Sequence, residues 1–116
     1  MENKKNTRKV LPDIYKRVLR QIPTNAERTI TATEIADVLN VRPDDVRYFI
    51  SRLVTEYNVP IATSNFGRGG GYHIITNQAE LEKTVSNLKG RAEKITKRYE
   101  SLMNIDLDHW HESIEV

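Results

Sequence analysis

Six side chains between residues 42 and 52 have the types and the spacing to read a nucleic-acid surface: Arg42, Asp44, Arg47, Tyr48, Ser51 and Arg52. Steps of three and four residues recur among them, so most return to one side of an α-helix. A guanidinium on such a face donates to guanine O6 and N7 together, Tyr and Ser reach a phosphate or a base edge, and a carboxylate accepts from cytosine N4. A polar face is also what any solvated amphipathic helix presents. Asp44 and Asp45 suit the positive end of a helix dipole, and the same charges repel phosphates that come near.

The elements that must position these side chains are legible on either side. Thr31 followed by Glu34 is a capping box, flanked by Ile30 and Ile35 as a hydrophobic staple. Ile35, Ala36 and Leu39 share one helical face, and Asn40 stands where that helix ends in a residue tolerant of positive φ. Pro43 supplies the preset φ of a first helical position, and Val46, Phe49, Ile50, Leu53, Val54 and Tyr57 form one broad apolar side. Upstream, Pro12 opens a helix in which Ile14, Val18, Leu19 and Ile22 share a face; Lys16, Arg17 and Arg20 lie opposite, and Pro23 ends it. Residues 28–31 read as a short edge strand.

Downstream, residues 59–64, a glycine-rich tip over 65–71 and residues 72–76 read as strand, tip and strand. Gly67, Gly69, Gly70 and Gly71 invite a phosphate-loop reading. A Walker loop and a dinucleotide fingerprint both open a helix, however, and here a strand follows. Two short helices across a tight turn, then a hairpin, resemble the winged helix-turn-helix family of DNA-binding proteins over residues 11–76. Ala36, Asn40, Val41, Val46 and Phe49 match its small, turn and core positions in order. The resemblance implies a mainly α fold with a small β-hairpin and sequence-specific binding of double-stranded DNA. It places Arg42, Pro43, Asp44, Arg47, Tyr48 and Ser51 near bases and Arg68 at a wing tip that enters a minor groove. It also implies a transcription regulator or replication accessory of a phage or other mobile element. The acidic pair Asp44 and Asp45 departs from the pattern. The alternative is a winged helix serving as a protein-interaction module.

A second strong pattern begins at Asn77, a cap with Glu80 three residues on. Leu81, Val85, Leu88, Ala92, Ile95, Tyr99 and Leu102 follow at steps of four and three, the seam of a coiled coil, and predict a homodimerisation helix over 77–103. Packing of that helix on its own domain is the competing expectation. Gly90 falls on the outer face, and the flanking Lys89, Arg91 and Arg98 have no acidic counterparts that would fix a parallel pair. Residues 104–116 form an acidic tail in which Leu107, Trp110 and Ile114 make a candidate partner motif. His109 and His111 with Asp108 and Glu112 have spacing that converges on a metal only in a special turn, so no metal is assigned.

Composition sets the limits. The chain has 116 residues, 38% hydrophobic and 29% charged, with a formal net charge of +2. Asp106, Asp108, Glu112 and Glu115 fall after Met103 with no Lys or Arg among them, so 18 basic side chains face 12 acidic ones in the remainder. Residues 1–10, with Lys4, Lys5, Arg8 and Lys9, read as a basic arm. Cysteine is absent, which removes disulfides and cysteine zinc sites. No run is apolar enough to span a bilayer and no signal-peptide core begins the chain, so the expectation is a cytoplasmic protein. No nucleophile, base and orienting group stand at a catalytic spacing, and no cofactor motif survives its context; the sequence does not read as an enzyme. His73, in the second strand, reads as a surface or wing residue.

Overall fold

The computed structural model describes residues 9–24, 26–64 and 70–115. It is mainly helical with one small antiparallel hairpin: α1 (Asp13–Gln21), α2 (Ala32–Leu39), α3 (Pro43–Thr55), β1 (Ile61–Thr63), β2 (Tyr72–Ile74) and α4 (Gln78–Met103). Two units divide the chain, Met1–Leu81 and Glu82–Val116. The boundary falls inside α4, a turn later than the composition of residues 77–103 suggests.

In the first unit the core is built by α1, α2 and α3. The Glu34 amide donates to Thr31 Oγ1 at 3.1 Å and the Thr31 amide donates to Glu34 Oε1 at 2.9 Å, so both halves of the capping box form. Ile35, Ala36 and Leu39 are buried. Asn40 adopts the left-handed conformation at φ 56°, and the Val41 amide donates to the Ala36 carbonyl at 3.1 Å as the chain turns. Pro43 opens α3, whose Val46, Ile50 and Leu53 are buried against the same core, with Phe49 and Tyr57 packed beside them.

Three expectations about this core change. Tyr15 of α1 is buried, while Ile14 and Leu19 are only partly so. The Tyr15 ring meets Phe49 edge-on at 5.3 Å between centroids, a geometry that aromatic quadrupoles favour. Val54 is 37% exposed. It lies one position beyond Leu53, where a helix turning about 100° per residue has carried the side chain past the edge of the buried stripe. Finally, the strand expected at 28–31 is reduced to one bridge between Ile30 and Tyr72.

That bridge fixes a close approach. The Tyr72 amide donates to the Ile30 carbonyl at 2.7 Å and the Ile30 amide to the Tyr72 carbonyl at 3.1 Å, so Tyr72 pairs outward to Ile30 and inward to Thr63 of β1. The register of β1 and β2 matches Ile61 with Ile74, Ala62 with His73 and Thr63 with Tyr72. Backbones drawn this close leave no room at Gly71, where a Cβ would stand 2.2 Å from Thr29 Oγ1 and 3.2 Å from the Ile30 nitrogen. Much of the expected glycine-rich tip, residues 65–69, lies outside the described residues.

In α4, the Glu80 amide donates to Asn77 Oδ1 at 2.9 Å, so the expected cap forms. No side chain of α4 is buried. The apolar seam is open along its length, from 36% exposure at Leu81 to 69% at Leu102. Among the described residues no helix is long and apolar enough to cross a membrane.

The two informative glycines predict opposite outcomes. Gly71→Ala forces the bridge to Ile30 apart and lowers the urea midpoint. A Cβ on Gly90 meets nothing within 4 Å, so Gly90→Ala gains about 1 kcal/mol of helix propensity and raises helical content by circular dichroism. A destabilised Gly90→Ala would show that α4 has a neighbour at that position in solution.

Candidate nucleic-acid interface

The buried stripe of α3 determines which residues are left outside. With Val46, Ile50 and Leu53 turned inward, Asp44, Arg47, Tyr48 and Ser51 are exposed, and Tyr48 keeps 55% of its surface in solvent. These four, spaced by three and four residues, form one continuous surface that begins in the first turn of the helix.

Arg42, Arg47 and Arg52 each have an acidic partner three or four residues away. Arg47 Nη1 donates to Asp44 Oδ1 at 2.8 Å across one turn. Both are open to solvent, at 55% and 84% of side-chain area, so water and salt screen the pair. A phosphate or a base edge can replace such a carboxylate at little cost.

Arg42 is held differently. It caps α3, and its backbone amide donates to Asp45 Oδ2 at 3.3 Å while Nη2 donates to Asp45 Oδ1 at 3.1 Å. An arginine has no acceptor to offer the helix amides, so only the reach-back half of a capping box operates here, with the guanidinium gripping the same carboxylate. This pairing raises the Arg42 guanidinium above its usual range. The two acidic residues therefore separate by role: Asp45 fastens the start of α3, and the side chain of Asp44 bonds, among the described residues, only to Arg47.

Arg52 lies farther from the reading surface than its spacing suggests. Its side chain is only 36% exposed, with Nη2 on Glu56 Oε2 at 2.6 Å and Nη1 donating to the Tyr48 hydroxyl at 3.0 Å. The guanidinium carbon stands 5.6 Å from the Tyr48 ring centroid, in cation–π range. Arg52 thus braces Tyr48 from behind, and its Nε is buried without a hydrogen-bond partner. Sequence spacing missed Glu56, which stands at the i+4 position where an acid pairs with an arginine across one turn. It also missed Lys9, counted with the basic arm, whose ammonium reaches the Glu56 carbonyl and lies 5.7 Å from the Tyr57 ring centroid.

His73 is a correction. It is 6% exposed rather than a surface residue, and its Nε2 is 3.0 Å from Glu80 Oε1 at the start of α4. Tyr72 and Ile74 pack against the core, so the alternation of β2 puts His73 on the opposite face, where the Glu80 carboxylate supplies the polar partner that a buried imidazole needs. The histidine ties the hairpin to the first turn of α4, which lies in the first unit.

The other expected sites are dispersed. Arg68 lies outside the described residues. The seam residues Leu81, Val85, Leu88, Ala92, Ile95, Tyr99 and Leu102 are exposed on α4. Leu107, Trp110 and Ile114 are exposed on the tail, where Trp110–Ser113 forms one 3-10 turn. Asp106 organises that segment by accepting from the Asp108 and His109 amides at 3.0 and 3.2 Å and by contacting His109 Nδ1 at 2.9 Å. Compared with family models, with curated proteins and with solved structures, the chain gives no match.

The caps around the reading surface carry a pH signature. The Thr31 amide and hydroxyl hold the Glu34 carboxyl below its usual range, and the Arg42 guanidinium does the same for Asp45. A carboxyl with a depressed folded-state pKa stabilises the fold above its unfolded value, and that contribution fades as pH falls through the folded value. The contribution of these two caps is therefore level from neutral pH to about pH 5 and declines below about pH 4, near the ordinary carboxylate range. In urea melts Asp45→Asn shows a smaller loss between about pH 6 and about pH 3 than the wild type does. Equal losses in the two proteins would contradict the role given to Asp45.

Proposed function

We propose that this protein binds double-stranded DNA with sequence preference, as a homodimeric winged helix-turn-helix protein whose α3 enters the major groove. The observation that carries the reading is the exposed surface of α3. Asp44, Arg47, Tyr48 and Ser51 stand together on a helix held rigidly from behind by Val46, Ile50 and Leu53. Hydrogen-bonding side chains on a fixed helix are what base-edge recognition requires. Arg47 and Tyr48 are the base readers, Ser51 reaches phosphate or a base edge, and Arg42 approaches the backbone while it caps the helix. Arg52 acts through Tyr48. The exposed Lys16, Arg17 and Arg20 of α1 supply further positive charge. The paired strands β1 and β2 serve as the stem of the wing, and Arg68 falls between them in the sequence. A role in transcription regulation or as a replication accessory suits a small chain of this kind.

A specific observation favours a second reading, in which the winged helix is a protein-interaction module. Arg42, Arg47 and Arg52 are each matched by a carboxylate three or four residues away, so the surface is less positive than its arginine count suggests.

A duplex titration separates the two. Random duplex DNA binds with an affinity that falls steeply with salt, with a log–log slope of about −3 to −5 if about four or five phosphates are contacted. Arg47→Ala costs about 1–3 kcal/mol on a selected site and flattens the preference between sites. The absence of duplex binding at low salt would give the protein-interaction reading its place.

A further inference from the structure

α4 combines two properties that rarely coexist in a finished protein. It is a helix of 26 residues with no buried side chain, and seven apolar positions run along it without a break. A helix of this kind gains most of its stability from packing its apolar stripe, and here the stripe is exposed. Building on the dimer proposed above, we infer that α4 pairs with a second copy of itself in parallel and in register.

The orientation follows from the charges beside the seam. The steps of four and three place Leu81, Leu88, Ile95 and Leu102 at d positions and Val85, Ala92 and Tyr99 at a positions. Arg91 and Arg98 then occupy g, and Glu82, Lys89, Thr96 and Met103 occupy e. In an antiparallel pair each g position faces g of the partner. Two antiparallel registers keep six of the seven seam residues in contact. One sets Arg91 against the second copy's Arg98 twice over, and the other sets Arg91 against its own counterpart. The acidic residues Glu93 and Glu100 stand at b, on the e side of the helix and away from the g positions.

A parallel pair has no such conflict. Each g position then faces e of the next heptad in the second copy, which matches Arg91 with Thr96, Arg98 with Met103 and Thr84 with Lys89. No like charges meet, and every apolar position of the seam is covered. Leu at three of the four d positions with Val85 at a is also the composition that suits two parallel strands. The flanking charges thus exclude one orientation by repulsion without fixing the other by attraction. Both chains then enter the pair at the same end.

The absence of cysteine makes the test direct. Val85→Cys and Tyr99→Cys are each made singly in the full chain, shown to be dimeric under reducing conditions by sedimentation, and then mildly oxidised. In a parallel pair each introduced thiol meets its own counterpart, and both variants form disulfide-linked dimers. In the antiparallel register that opposes residues 88 and 99, the two thiols of the Tyr99→Cys variant are about 16 Å apart along the axis. Neither variant then cross-links, and a mixture of Leu88→Cys with a size-tagged Tyr99→Cys gives the mixed product. Arg98→Glu supplies a readout that needs no introduced thiol. It leaves the dimer Kd within about twofold in the parallel arrangement, where residue 98 faces Met103, and tightens it several-fold where residue 98 faces Arg91. A dimer in which neither single variant cross-links, or one that tightens on Arg98→Glu, overturns the orientation alone. A wild-type chain that stays monomeric at high concentration overturns the dimer as well.

Discussion

The left-handed backbone at Asn40 is the constraint on which the rest depends. At φ 56° and ψ 49° the chain reverses within a few residues, so that α3 begins at Pro43 with its apolar stripe already facing the core used by α2. Asn accepts this conformation at lower cost than most residues with a side chain, because its short amide can bond locally. Because the turn is short, Ile35 and Val46 are both completely buried in one cluster, and the opposite side of α3 has nowhere to go but outward. The exposure of Arg47 and Tyr48 is therefore a consequence of packing.

Electrostatics then divide the exposed side into parts that hold and parts that are available. Asp45 holds Arg42 at the cap, and Glu56 holds Arg52 beneath Tyr48, so both of these arginines are structural as well as charged. The Asp44 to Arg47 pair is more open to solvent than either the Arg42 or the Arg52 pair, and among the described residues it makes no hydrogen bond to the backbone. A free protein whose basic side chains are already partnered binds stray polyanions less strongly. Contact with the right surface costs it only screened, exposed ion pairs. Both readings of the chain, DNA binder and protein-interaction module, have to work with this arrangement.

Local signals carried the sequence furthest. The Thr31 and Glu34 box, the Asn40 turn, Pro43 and the Asn77 cap each rest on a hydrogen bond or a torsion between residues close in the chain, and each forms as written. Spacing also separated the inward from the outward side of α3. What it missed depends on contacts distant in sequence. Tyr15 is buried because Phe49 and Tyr57 come to meet it, and His73 is buried because α4 begins with a carboxylate at the right place. The edge strand shrank to the Ile30 bridge because one pair of hydrogen bonds to Tyr72 suffices there. Arg52 was legible as a charged residue on a helix, but its lean toward Tyr48 and Glu56 was a choice among rotamers that periodicity does not see. The extent of α4 was legible, since a cap and apolar residues at steps of four and three need no tertiary information.

A DNA-reading surface on the outward side of α3 is open to a residue-by-residue test, by mapping backbone amide shifts with NMR while the full chain is titrated with a short duplex. The largest changes are then expected on Asp44, Arg47, Tyr48 and Ser51, with smaller ones on α1 and none along residues 85–102 of α4. Changes confined to α1 and the termini with α3 silent, or no changes at low salt, would contradict it.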